Sequence, residues 1–186
     1  MARSKTYIKP IACIESFWTI DVENRLSVSP ILELLRKRYG IRSVILTCST
    51  LDELRFNLEI VKQMKGGILY LAFHGYPGGI RLPEVAVEME GIADLMGKRF
   101  KNWIVFFDSC TTLRVKEERI KKFIAETGIT MLVGFKNRVE WLDGAAVDLL
   151  VLERIQFYKD MRKFWKGFRR AYKGLVGITG LDVYHK

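Results

Sequence analysis

Two side chains in this sequence are well suited to covalent chemistry: the Cys110 thiol, which can attack a carbonyl, and the His74 imidazole, which can move a proton. Each follows an apolar run, Ile68-Leu-Tyr-Leu-Ala-Phe73 before His74-Gly75 and Trp103-Ile-Val-Phe-Phe107 before Asp108-Ser109-Cys110. Short apolar runs bounded by Gly, Asp and Ser read as buried strands, so both side chains emerge at strand ends. In an open parallel sheet, ligands bind in the crevice beyond the carboxyl ends of the strands. A thiol and an imidazole delivered there predict a cysteine nucleophile with a histidine proton shuttle. Glycine after the histidine leaves room for a substrate carbonyl against the backbone.

The elements that must position this pair alternate along the chain. Residues 8–14 are apolar and β-compatible, and Ser29-Pro30 opens a helix with serine as cap and proline in the first turn. Gly40 closes that helix, and Ser43–Cys48 reads as a second strand. Thr50 and Glu53 form a capping-box pattern ahead of Leu54, Leu58 and Val61, a second helix that Gly66-Gly67 ends. After the run 68–73 come a Gly/Pro turn at 76–79, a short half-exposed strand over 85–89 and a short helix over 92–97. The strand 103–107, a charged helix over 115–126 and the strand 130–135 follow. One long helix is expected from Gly144 to about residue 173, kinked near Gly167, then a turn over Gly174–Gly180 and a terminal strand over 181–184. This order predicts an α/β three-layer sandwich with a mostly parallel central sheet, the whole chain forming one domain.

Composition narrows the function classes. Among 186 residues, 49% are hydrophobic and 28% charged, and no apolar run approaches a membrane span, so a cytoplasmic protein is expected. Three scattered cysteines and two histidines give no disulfide framework and no zinc spacing. The glycines of 174–180 lack dinucleotide-loop spacing, and no phosphate loop of the Walker type is present, so no cofactor is expected. Cys13 and Cys48 lie inside apolar strands and read as core residues. The net charge is +10, of which residues 159–173 supply +6 through seven basic residues and one acidic one. Phe164, Trp165, Phe168 and Tyr172 interleave them at helical spacing, which gives an apolar stripe and a basic face. That face predicts at most weak, sequence-indifferent binding to nucleic acid or another anionic surface.

Strand-His74-Gly75 and strand-Asp108-Ser109-Cys110, separated by 36 positions from histidine to cysteine, resemble the caspase-like cysteine peptidases, and within them the metacaspases and the CHAT peptidase domains. The resemblance implies Cys110 as nucleophile and His74 as the group that protonates the leaving amine. It places the backbone N–H groups of Gly75 and Cys110 as the oxyanion hole, and Asp108 as the residue that helps hold a substrate Arg or Lys. Asp143, in the polar loop after the strand ending at Phe135, would approach the same specificity pocket, and as a residue just before Gly144 it could equally cap the helix there. Metacaspases usually continue Cys-His-Ser-Gly where this chain reads Cys110-Thr111-Thr112-Leu113. The implied partner is a polypeptide substrate, with an activating protein that orders the site loops. The alternative from a different class is a non-catalytic module that binds protein or nucleic acid through the basic C-terminal helix.

Overall fold

A computed structural model describes residues 6–17 and 26–186. Its centre is a six-stranded sheet formed by β1 (Ile11–Glu15), β2 (Ser43–Thr47), β3 (Ile68–Ala72), β7 (Ile104–Asp108), β8 (Met131–Phe135) and β9 (Leu181–His185), in the order β2-β1-β3-β7-β8-β9. The first five strands are parallel, and β9 is antiparallel to β8. A smaller antiparallel sheet, β4 (His74–Tyr76), β5 (Gly79–Arg81) and β6 (Ala86–Glu88), is inserted after β3.

The helices divide between the two faces by the parity of strand side chains. Leu69 and Leu71 of β3 and Val105 and Phe107 of β7 point into a core closed by α2 (Leu51–Val61), α3 (Met89–Met96) and α4 (Glu117–Thr127). Ile68, Tyr70 and Phe106 point into the opposite core, under α1 (Ser29–Tyr39), α5 (Trp141–Arg154) and α6 (Met161–Ala171). Burial on both faces is why the inner strands β3, β7 and β8 read as nearly unbroken apolar runs. The three-layer α/β sandwich is therefore as the sequence indicates.

Several local signals act as expected. Thr50 and Glu53 close a reciprocal capping box at the start of α2. The cap of α1 is one residue earlier than expected: Val28 takes that position, and its N–H is held by Glu15 Oε2 at 3.2 Å. Thus the end of β1 fixes the start of α1.

The single helix expected from Gly144 to about residue 173 is two α-helices separated by a 3₁₀ turn. The first, α5, starts at Trp141 with Glu140 in the cap position, and it gives way to a 3₁₀ turn at Ile155–Phe157. Asp160 starts α6 by accepting from the N–H groups of Arg162 and Lys163. The break is held from outside: Lys9 donates to the carbonyls of Ile155 and Tyr158, at 3.0 and 2.9 Å, satisfying backbone groups that a continuous helix would have used internally. The segment Gly174–Gly180, expected as a turn, falls instead in a short helix, α7 (Lys173–Thr179), that Gly180 ends in a left-handed conformation. None of the helices among the described residues is long and apolar enough to cross a membrane.

Candidate active site

The site starts from the register of two neighbouring parallel strands. Ala72 of β3 pairs with Asp108 of β7, and the Phe73 N–H continues the ladder to the Asp108 carbonyl at 3.0 Å. Two residues beyond that pair lie His74, after β3, and Cys110, after β7. The two expected residues thus follow the ends of adjacent strands. His74 is exposed and opens β4, whereas Cys110 is half-buried. A Cβ built on Gly75 would fall 2.3 Å from the Cys110 carbonyl oxygen and 2.8 Å from its nitrogen, so the two segments touch through backbone.

The loop after Cys110 is fixed by its own side chains. Thr111 sits at φ 61°, a left-handed conformation that a β-branched residue rarely adopts, which stores roughly 1–3 kcal/mol of backbone strain beside the cysteine. It is held there by its N–H to the Asn137 carbonyl (3.1 Å) and by its hydroxyl to the Cys110 carbonyl (2.6 Å). Thr112 donates to the Gly79 carbonyl at 3.0 Å and accepts from Ser109 at 2.6 Å. These two threonines, which depart from the metacaspase sequence, therefore stitch the cysteine loop to β5 and to the end of β8. The Val139 N–H lies 3.4 Å from the Cys110 sulfur and holds it against the loop that leads into α5. On the histidine side, Arg119 of α4 pairs with Glu88 and Glu90 and donates to the Gly78 carbonyl at 3.3 Å, clamping the hairpin that begins with His74.

Beside the sulfur lies a cavity of about 40 Å³ with apolar walls from Val28, Ile31, Phe135, Val139 and Trp141. Its acidic groups are Asp108, Asp148 and Glu140. Strand parity explains the first: Asp108 follows Phe106 on the face that α5 covers. Asp148 was not singled out from the sequence. It lies within the buried stripe of α5, between Val147 and Val151, and is 2% exposed. Asp143 is half-buried in the first turn of α5 and does not line the cavity, and the cap position it could have taken belongs to Glu140.

The two buried aspartates meet at one phenol. The Tyr70 hydroxyl is 2.9 Å from Asp108 Oδ2 and 2.8 Å from Asp148 Oδ2. A hydroxyl has one proton, so it can donate to one carboxylate, and it accepts from the other only if that carboxyl is protonated. Burial drives the same result. It pushes Asp108 up to about 6, against the opposing pull of hydrogen bonds from Tyr70 and Asp148. It also pushes Asp148 well above the carboxylate range, with the Asp108 charge adding to the rise. The pair thus holds one proton at neutral pH.

This has a consequence for stability. Both acids bind protons more tightly folded than unfolded, so the pair's contribution is fully present below the unfolded value of 3.8 and is lost as pH rises through about 6 and beyond. The Asp108 rise from 3.8 to about 6 corresponds to roughly 3 kcal/mol at about 1.4 kcal/mol per pH unit. Asp148→Asn, which removes one buried acid, is expected to raise the unfolding midpoint at pH 8 and to change it little at pH 4. Thermal melts at the two pH values check this, and a loss of stability at pH 8 would contradict it.

Among the described residues no cluster of His, Cys, Asp and Glu could hold a metal ion. In fold, the chain is similar to caspase-1 from Spodoptera frugiperda, with 12% identity, a TM-score of 0.53, and coverage of 90% of this chain and 79% of that one. It is likewise similar to a secreted C11 cysteine protease from Bacteroides thetaiotaomicron, solved with an irreversible peptide inhibitor, with 7% identity, a TM-score of 0.54, and coverage of 89% and 59%. This chain therefore spans less than two thirds of the bacterial protease. At these identities the likeness carries the fold, which is caspase-like. No curated protein matches the chain in sequence. The model of a family of unknown function, DUF6642, matches residues 9–185, nearly the whole chain, and the protein belongs to that family.

Proposed function

We propose that the protein is a caspase-like cysteine endopeptidase. What supports this reading is that His74 and Cys110 each follow, by two residues, the Ala72–Asp108 pair that ends two neighbouring parallel strands, and that Cys110 lines a small cavity with carboxyl groups. In the proposed reaction the Cys110 sulfur attacks a peptide carbonyl, and His74 passes a proton to the departing amine. The acyl-enzyme thioester is then hydrolysed by water, which His74 deprotonates. The N–H groups of Gly75 and Cys110 face the developing oxyanion; one such donor is commonly worth about 3–4 kcal/mol in the transition state. Asp108 supports a preference for Arg or Lys before the scissile bond. The Asp-Ser-Cys sequence supports a metacaspase-like or CHAT-like unit within this fold, and the loops around the site are where an activating protein would act.

The test is labelling with a peptidyl-arginine carrying a cysteine-directed electrophile. Cys110 is expected to be modified alone. Burial pushes the Cys13 thiol well up and the Cys48 thiol up to about 12, so neither competes. Mass spectrometry locates the adduct. Equal labelling by an aspartyl analogue would overturn the basic preference, and absence of any adduct at Cys110 would overturn the peptidase reading.

That second outcome would favour a binding module. One observation supports it: among the described residues Lys163, Lys166, Arg169, Arg170 and Lys173 have no carboxylate partner within ion-pair distance. Against base recognition, Phe164 and Phe168 are buried under α6 and are not available to stack.

A further inference from the structure

We propose that the cavity at the amino ends of β3, β7 and β8 binds a small phosphorylated molecule, held by Lys159 and Arg162 at the start of α6 and by His185 at the end of β9. The site is independent of the peptidase reading. It lies at the opposite end of the sheet from Cys110, and the five residues of β7 between them span about 16 Å at roughly 3.3 Å per residue.

The sign of the ligand follows from the charges around the cavity. Its space of about 450 Å³ is lined by four cations, Lys9, Lys159, Arg162 and Lys186, and by one carboxylate, Asp160. None of the four cations forms an ion pair among the described residues. Asp160 is already engaged: its Oδ1 accepts from the N–H groups of Arg162 and Lys163, at 2.9 and 3.2 Å. The first turn of α6 is therefore closed by its own cap, and a ligand meets side chains. Lys9 spends its ammonium on the carbonyls of Tyr7, Ile155 and Tyr158, so it adds to the positive field without offering a donor. Lys159 and Arg162 are exposed, and Arg162 makes one contact of 3.4 Å, to the Lys186 carbonyl.

A second and independent observation is His185. It lines the same cavity, and its Nε2 is buried with no hydrogen-bond partner. Buried polar atoms are rarely left so, and a ligand oxygen would supply the missing acceptor to an Nε2–H. Burial and the Arg162 charge hold the imidazole below its ordinary range, against a smaller opposing pull from Asp160, so at neutral pH the ring is uncharged and carries one proton. The Asn102 amide, also on the rim, has no hydrogen-bond partner among the described residues and adds a further donor.

The geometry selects a phosphoryl group over a carboxylate. Donors converge from three elements, the start of α6, the end of β9 and the turn before β7, and a tetrahedral dianion has three terminal oxygens to meet them where a planar carboxylate has two. The Arg162 fork matches two of those oxygens, and the Lys159 ammonium serves as a point charge. Ile104 and Met161 add an apolar strip to the wall, which suits an organic body attached to the phosphate. A cavity of this volume is in the usual range for one small molecule of about 300–1,000 Å³.

The experiment is calorimetric titration of the intact protein at pH 7 and low ionic strength with phenyl phosphate, inorganic phosphate and benzoate. Phenyl phosphate is expected to bind one to one, several-fold more tightly than inorganic phosphate and at least tenfold more tightly than benzoate. Arg162→Gln should weaken it at least tenfold and His185→Phe several-fold, with circular dichroism confirming the fold. Arg162 is exposed, so its variant keeps the test decisive if the histidine variant folds poorly. Lys163→Gln with Lys166→Gln removes two charges of the same helix that lie outside the cavity, and affinity should change by less than about twofold. No binding of phenyl phosphate, binding that Arg162→Gln leaves intact, or equal loss in the Lys163 and Lys166 variant would overturn the proposal. A single-stranded oligonucleotide that displaces phenyl phosphate and is weakened equally by all the charge variants would assign the binding to the whole basic face of α6 and would also overturn it.

Discussion

Replacing Cys110 with alanine is expected to abolish peptide cleavage, and His74→Ala to lower kcat by about 10²–10⁴-fold, the usual contribution of a positioned proton-transfer group. The other cysteines and the neighbouring serine are poorly placed to substitute for the sulfur. Cys13 is buried in β1, and Cys48 is buried after β2 with its thiol on the Thr50 carbonyl. Ser109 is buried and bonded to Thr112. If the two residues act as a unit, their effects will not add: the double variant should be no slower than Cys110→Ala alone. Rates against an arginyl peptide, measured for the wild type, both single variants and the double variant, check this. Cleavage by Cys110→Ala at the wild-type rate would assign the activity elsewhere, and an unchanged rate in His74→Ala would remove the histidine from the mechanism.

How much of this was legible in the sequence depends on whether a position is fixed locally. The strand ends were legible, because a run such as Ile68–Phe73 buried on both faces has no polar interruption, and the following His-Gly or Asp-Ser-Cys marks where it leaves the sheet. Asp108 followed from the same run. Asp148 left a fainter signal: an acid at a core position of the stripe Gly144, Val147, Val151 and Leu152, where a buried carboxyl is uncommon unless partnered. Its partner, Tyr70, lies 78 positions away in the middle of a strand, so sequence alone could not pair them. The helix break at 155–160 was hidden for a similar reason. Apolar spacing continues through it without Gly or Pro, and the group that stabilises the free carbonyls is Lys9, near the other end of the chain. Burial among those carbonyls pulls Lys9 down to about 8, which shows how far its ammonium is withdrawn from water.

Gly75→Ala is expected to slow cleavage about as much as a misplaced catalytic group does, for a reason of backbone geometry instead of chemistry. The added Cβ would meet the Cys110 carbonyl oxygen at 2.3 Å, the Thr112 hydroxyl at 2.7 Å and the Cys110 nitrogen at 2.8 Å. All three are closer than atoms can sit, and two are backbone, so no rotamer change relieves the contact. Either the His74–Tyr76 strand or the Cys110 loop must move. The loop is pinned by Thr111 to Asn137 and by Thr112 to Gly79, and the strand by its pairing with Gly79–Arg81, so the strain is shared and the placement of His74 relative to Cys110 changes. Overpacking of this kind costs about 1–3 kcal/mol of stability, and a misplacement of about 1 Å at reacting groups costs about 10²-fold in rate. The variant should therefore stay folded, melt several degrees lower and cleave at least about 100-fold more slowly. Thermal unfolding and single-turnover cleavage are the measurements. Full activity in Gly75→Ala would mean that the two segments do not meet as the structure has them, and the backbone N–H groups assigned to the oxyanion would have to be reassigned.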